Sequence, residues 1–368
     1  MNGIARKIGF FTAFIVPVLV VTGFYLGGNW NFIPIIFAFA ILPVIDHYAG
    51  TDPANVPVTE ANRISKDYFY RFITYVWTYC QMGFMFWGAY AIATEKFSNA
   101  IHAFAFVFSF SLVTGGIGIT VAHELGHKKS WLEQLYSRLL LMSVSYMHFL
   151  IEHNRGHHVY VATPVDPATA RKNETFYRFW VRSVLQGYAH AWQLENERLR
   201  KKGSRFFSVG NQMIWFLLLP IAFAAVLTAF AGVFAGRIAW EVPAFFLLQS
   251  IFAFTLLELV NYVEHYGIQR KEIAPGKYER VNPLHSWNAS HIVSNFFLFQ
   301  LQRHSDHHVY AGKRYQVLNH YDESPQLPYG YQTMILLALI PPLWFKAMNA
   351  RLEHWQQVAL QRRLTTIS

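Results

Sequence analysis

Cysteine is nearly absent from this chain: Cys80 is the only one in 368 residues. A disulfide framework, a cysteine-rich zinc site and an iron–sulfur cluster are therefore excluded within the chain, and Cys80 itself, lying in an apolar run, reads as a small core residue. Charge is scarce as well, at 14% of residues against roughly 25% in an ordinary soluble domain. No glycine-rich phosphate loop follows a strand pattern, and there is neither a low-complexity tract nor a linker that would separate a soluble module. A chain that is 53% hydrophobic and 17% aromatic, with so few charges, is built for lipid. One integral domain over residues 1–368 is expected.

Six apolar runs are long enough to cross a hydrocarbon core of about 30 Å. They cover about residues 8–26, 30–45, 72–93, 101–122, 212–235 and 238–262. The run TMILLALIPPLWFKAM from Thr333 is short and is interrupted by Pro341-Pro342, which predicts a re-entrant or interfacial piece. The opening MNGIARKIGFF has the basic start of a signal peptide. Its apolar run, however, exceeds an ordinary h-region, carries no A-x-A-like site and turns straight into a second run. It reads as the first span.

Lys and Arg then orient the chain. With the N-terminus inside, the outer turns near residues 27–31, 94–100 and 236–237 hold only Lys96 and Arg237 of the 31 basic residues. Both termini are expected on the cytoplasmic side, with inner segments 46–71, 123–211 and 263–368. The net charge of +10 is mostly this inside bias and does not imply nucleic acid. The cluster Arg198, Arg200, Lys201, Lys202 and Arg205 reads as a headgroup contact or the seat of an acidic partner.

Histidine is plentiful, at seventeen, and clustered. HELGH gives His123 and His127. EHNRGHH gives His153, His157 and His158, of which 153 and 157 share a helical face with 158 about 100° round. NYVEH gives Asn261 and His265, and QRHSDHH gives His304, His307 and His308, all on one side if helical. These four groups, nine imidazoles, fall on one face of the membrane by a topology that used only Lys and Arg. Nine nitrogens are too many for one ion and suit two. His47, His102, His148, His190, His320 and His354 read as satisfied polar residues, while His285 and His291 in HSWNASH stay unassigned.

His123-Glu124-x-x-His127 alone matches the zinc-protease pattern, with Glu124 as general base, but that reading has no use for the other histidine groups. A metal transporter would place its ligands near the bilayer midplane in broken helices, not at inner span ends. Glu124, Glu152, Glu264 and Asp306 each lie beside a histidine, where a carboxylate can accept the outer N–H of a metal-bound imidazole. Glu258 precedes His265 by seven residues inside a span, where an acid is expected to face the bundle interior.

HELGHK (123–128), EHNRGHH (152–158), NYVEHYG (261–267) and LQRHSDHH (301–308) closely resemble the histidine boxes of the membrane-bound alkane 1-monooxygenase family, which includes the xylene monooxygenase hydroxylases. HSWNASHIVSN from His285 and LPVID ending at Asp46 are similar too, so the resemblance spans most of the chain. It implies an all-α integral membrane protein with six transmembrane helices and a cytoplasmic helical region carrying a di-iron site. His123, His127, His153, His157, His158, His265, His304, His307 and His308 would be the ligands of two iron ions. Glu124, Glu258, Asn261, Glu264 and Asp306 would lie behind them. The implied reaction is terminal hydroxylation of n-alkanes taken from the bilayer, using dioxygen and two electrons from rubredoxin, itself reduced by an NADH-rubredoxin reductase. The implied location is the bacterial inner membrane. Aromatic-methyl hydroxylation and fatty acyl desaturation or hydroxylation are the alternatives within the same superfamily.

Overall fold

A computed structural model describes residues 3–95 and 97–367, with side chains to residue 358. Lys96, one of the two basic residues expected in the outer turns, lies outside the described residues. Most of the described residues are helical, and the strands among them form one short antiparallel hairpin, Glu272–Ala274 with Lys277–Tyr278.

Among the described residues, five helices are long and apolar enough to cross a bilayer: α1 (Gly3–Leu26), α2 (Gly28–Ala49), α4 (Ala100–Gly126), α8 (Gln212–Ala235) and α9 (Glu241–His265). The expected third span forms as a helix too, α3 (Tyr68–Thr94), and its 27 residues would reach about 40 Å at 1.5 Å each. Its tyrosines, threonines and glutamine make it the least apolar of the six expected spans. The α1–α2 turn needs left-handed backbone at Gly27 (φ 74°) and Gly28 (φ 54°), which glycine adopts without cost.

Cys80 is exposed on the outer side of α3 rather than in the core. In a bundle surrounded by lipid the outside is as apolar as the inside, so hydrophobicity could not tell the two apart. Polar side chains do the internal stapling. Trp77 Nε1 donates to Gln81 Oε1 (2.9 Å), Gln81 Nε2 to Ser143 Oγ (2.9 Å), Gln249 Nε2 to the Ser143 carbonyl (2.8 Å) and Thr114 Oγ1 to Gln249 Oε1 (2.8 Å). All are buried, and together they tie α3, α4 and α9 to the segment that follows α5 (Trp131–Met142).

The half that carries the histidines is built from α5, the broken helix α6 (149–160), α7 (Phe176–Lys201), α10 (His304–Val309) and α11 (Tyr331–Ala338). The Pro341-Pro342 pair does not break a span. It opens a long last helix, α12 (Pro341–Ile367), where proline suits the first turn because the N–H there has no helical partner. Trp344, Met348 and Leu352 of α12 are fully buried. The LPVID run also gains a role: Asp46 Oδ1 accepts the N–H groups of Val293 (2.9 Å) and Ser294 (3.1 Å), starting the helix Ile292–Phe297 from across the fold. In the basic cluster, Arg198 is tied to the buried Glu195 (2.6 Å).

Two helices carry a π turn where it matters. In α4 the turn Leu112–Ile117 inserts one residue into the helical register and brings Gly115 against α9. A Cβ at Gly115 would fall 2.6 Å from the Ala253 carbonyl oxygen, whereas one at Gly116 meets nothing within 4 Å. Gly115→Ala is therefore expected to destabilise the detergent-solubilised protein by about 1–3 kcal/mol through overpacking. Gly116→Ala is expected to stay within about 0.5 kcal/mol of the parent. Thermal unfolding of the pair checks this, and equal losses would count against the close α4–α9 approach.

Candidate metal centre

All nine histidines singled out in the sequence converge, in two groups. His123, His127, His153, His158 and His307 form one, and His157, His265, His304 and His308 the other; within each, one nitrogen per ring lies within 4.8 Å of all the rest. In the first group Nε2–Nε2 separations are 3.4 Å (His123–His127), 3.1 Å (His127–His153), 3.0 Å (His153–His158) and 3.1 Å (His158–His307). In the second they are 3.2 Å (His265–His304) and 2.8 Å (His304–His308). Two nitrogens bound to one ion at about 2.0–2.1 Å, with angles between about 90° and 110°, stand roughly 2.8–3.4 Å apart. The rings are thus spaced as the edges of two coordination polyhedra.

Local structure decides which imidazole joins which group. His123 and His127 share a face of α4 and its end, and His304 and His308 share a face of α10, as i, i+4 spacing requires. His307 projects to the other side of α10 and joins the first group. The EHNRGHH box departs from expectation. Its residues His153–His157 form a π turn, so His153 pairs with His158 and not with His157. One inserted residue turns His157 towards the second group, where its ring centroid lies 4.7 Å from that of His265 and 4.8 Å from that of His308. A π turn at a site of this kind leaves no mark in composition or spacing.

Protonation suits metal binding. Burial first, then the neighbouring imidazoles, hold His153, His304, His307 and His308 well below the ordinary histidine range, and His158 likewise. They are neutral and offer lone pairs, the form a metal needs. At His157 burial is outweighed by Asp166, whose Oδ2 lies 2.9 Å from Nδ1. The other nitrogen of His157, Nε2, is buried without a hydrogen-bond partner and belongs to the second group. An orphaned buried lone pair among three others is what an ion would satisfy.

Asp166 was not singled out in the sequence. It is fully buried, accepts from Thr169 Oγ1 (2.5 Å) and from the Ala168 N–H (3.0 Å), and so is held ready to fix the His157 tautomer. No histidine stands beside it in sequence, which is why adjacency could not find it.

The carboxylates that do stand beside histidines divide. Glu124 pairs with Lys128 (2.9 Å) and accepts from the Tyr315 N–H (3.4 Å); it anchors the end of α4 and touches no imidazole. Asp306 takes Lys313 Nζ (2.6 Å), the Asn319 N–H (2.8 Å) and Tyr321 OH (2.8 Å), and so holds the following loop. Glu152 lies 3.3 Å from His190. Glu264 goes further than a supporting role: Oε1 accepts from Tyr331 OH (2.5 Å), while Oε2 lies 3.1 Å from His304 Nε2, the nitrogen facing His265 and His308. It offers an oxygen donor to the second group. Glu258 and Asn261 line a polar cavity shared with His153. His285 and His291 lie outside both groups. His285 closes a capping box with Asn282, and His291 precedes the helix Ile292–Phe297.

An apolar cavity ends on the centre. It is lined by Ala38, Phe39 and Leu42 of α2, Gly116 of α4, Leu256 and Val260 of α9 and Ile335 of α11, with His123, His153 and His304 at its inner end.

Apolar helices whose ends gather imidazoles around two points, at the foot of an apolar cavity, define a membrane metalloenzyme of the histidine-box kind. A family model described as fatty acid desaturase matches residues 99–338. Alkane 1-monooxygenase 2 of Pseudomonas aeruginosa is 43% identical over 88% of this chain and 84% of its own length. Alkane 1-monooxygenase 2 of Alcanivorax borkumensis is 39% identical over 97% and 94%. The xylene/toluene monooxygenase hydroxylase component XylM of Pseudomonas putida, at 26% over 94% and 89%, is more distant. The chain belongs to the fatty acid desaturase family, in its alkane 1-monooxygenase branch.

Asp166→Asn keeps the size of the side chain but weakens its hold on His157. Metal affinity of the second group is expected to fall about 10–100-fold, the usual cost of losing such a partner. Metal retained per chain after graded chelator treatment, measured by plasma emission spectroscopy, reads this. Asp306→Asn, which frees no ligand, is expected to retain metal as the parent does.

Proposed function

We propose that this protein hydroxylates the terminal methyl group of n-alkanes, using dioxygen and two electrons delivered by rubredoxin, at a centre of two iron ions held by the nine histidines. The observation that carries this reading is the apolar cavity ending on His123, His153 and His304. A substrate without polar groups can be held there only by shape, with one end against the metal centre.

Iron fits the donor set, since imidazole binds it readily and zinc has no redox chemistry to offer. When bound, the two ions would supply the oxygen activation needed to break an unactivated C–H bond. The first group would hold one ion through five imidazoles, and the second the other through four, with Glu264 adding an oxygen. The protein's own contribution is positioning. Phe39, Leu42, Leu256 and Val260 exclude water from the cavity and keep a chain aligned along it, so that its end carbon meets the centre. The His157–Asp166 pair keeps one imidazole in the tautomer whose Nε2 faces inward.

An alkane dissolves in the bilayer, and a site at the inner ends of the spans can take it sideways while reductant arrives from the cytoplasm. Six spans including α3, with both termini and the centre on the cytoplasmic side of a bacterial inner membrane, are part of this proposal and follow from the distribution of Lys and Arg.

Purified protein is expected to hold close to two irons per chain and, with rubredoxin, its reductase and NADH, to convert octane to 1-octanol. Zinc at both positions with no oxygen consumption by reduced protein would overturn the reading. Because a side chain at Gly116 would project into open space beside the cavity, Gly116→Leu is expected to lower the longest alkane accepted by several carbons. Iron content is expected to stay unchanged. Product profiles over a homologous alkane series measure this, and an unchanged profile would detach Gly116 from the substrate path.

A further inference from the structure

A second cavity meets the metal centre away from the apolar one, and it is polar. It has a volume of about 10 Å³, room for about one water molecule. Tyr146, Ser183, Glu258 and Asn261 line it together with His153. Phe149, His153 and Asn261 line both cavities and so form the partition between them.

Two buried acids line this chamber: Glu152, which lies 3.3 Å from His190, and Glu258, which is 3% exposed. Glu258 Oε1 accepts from Tyr146 OH at 2.8 Å. Its Oε2 has no direct hydrogen bond of good geometry, although Ser183 and Asn261 are close. A carboxyl oxygen left so in a buried pocket costs about 1–3 kcal/mol unless water or a proton occupies it. No Lys or Arg bonds to it. His148 lines the chamber too, and beyond it lies a larger cavity of about 290 Å³ whose wall is mostly apolar side chains of α8 and α9, among them Phe216, Leu217, Ile221 and Phe246.

The reaction proposed above needs a route for protons. In RH + O2 + 2 e− + 2 H+ → ROH + H2O, a C–H bond and the O–O bond break. One oxygen enters the new C–O bond, and the other leaves as water after taking two protons and the two electrons of the reduced electron carrier. The apolar cavity, filled by substrate, cannot conduct protons. We propose that Glu258 is the proton-relay residue of this enzyme, passing protons through the chamber's water to the His153 side of the centre. The assignment rests on the oxygen-dependent reading of the site.

Infrared difference spectroscopy of the iron-free protein tests the acid without any turnover. A protonated-carboxyl stretch that shifts in D2O and disappears in Glu258→Gln is expected. Its absence from the wild type overturns the proposal. In the iron-loaded enzyme, Glu258→Gln can still accept from Tyr146 and is expected to keep its iron and its KM for octane. Its kcat is expected to fall about 10²-fold or more, the usual worth of a positioned acid, with an enlarged solvent isotope effect. Glu258→Asp is expected to recover part of the loss. A Gln variant as active as wild type, an Asp variant no better than Gln, or iron loss that matches the activity loss in both would each overturn it. Failure of the wild type to hydroxylate any alkane would instead strike the functional reading and leave the infrared assignment standing.

Discussion

The structure depends on keeping nine imidazoles facing one another, seven of them buried and two, His127 and His158, half-buried. Each lone pair turned inward without a donor costs about 1–3 kcal/mol, so a group of four or five is unfavourable until an ion occupies it. Metal binding to imidazole and thiolate sites reaches about 10–16 kcal/mol in small zinc domains, enough to offset that cost. The rest of the histidine-bearing half resists the outward collapse that would relieve it. Arg303 spans the Leu318, Asp52 and Ala54 carbonyls (2.7, 2.9 and 3.1 Å), and Arg270 holds the Val159 carbonyl (2.7 Å). The segments on either side of the ligands are clamped through their backbones, so the rings stay poised.

This explains why the carboxylates distribute as they do. A negative charge behind every imidazole would raise basicity throughout and invite protonation in place of metal. Only His157 has a carboxylate at its outer nitrogen, Asp166. The outer nitrogens of His265, His304 and His308 are buried without hydrogen-bond partners. Asp306 and Glu124, adjacent to ligands in sequence, are neutralised by Lys313 and Lys128. Their charges serve the frame rather than the rings.

The convergence of the nine histidines was legible because its signal is a pattern of rare residues at helical spacing, repeated near the ends of apolar runs. The spans were legible for the same reason, to within a few residues at most ends. What could not be read depends on geometry that spacing does not encode. The π turn in EHNRGHH reassigns His157 while leaving the sequence unchanged. Asp166 reaches its histidine only because the chain after α6 turns back on it. The apolar face of α3 gave no clue that Cys80 points outward, since lipid and core reward the same side chains. Glu264 read as one of several acids beside a histidine, and only the fold turns it inward while turning Asp306 away.

The two cavities follow from the same economy. A hydroxylase acting on alkanes must keep water from one side of its centre and admit protons on another, within a few ångströms. Segregation by helix face achieves this. α9 shows Leu256 and Val260 to the apolar cavity and Glu258 to the polar one, while Asn261 stands at the boundary. On a helix, residues 256 and 260 lie about 40° apart, and residue 258 about 160° from each, so one element can serve both without a break. The opposite chemistry of the two sides is therefore a consequence of helical periodicity, and a polar residue at 256 or 260 would let water into the path meant for hydrocarbon.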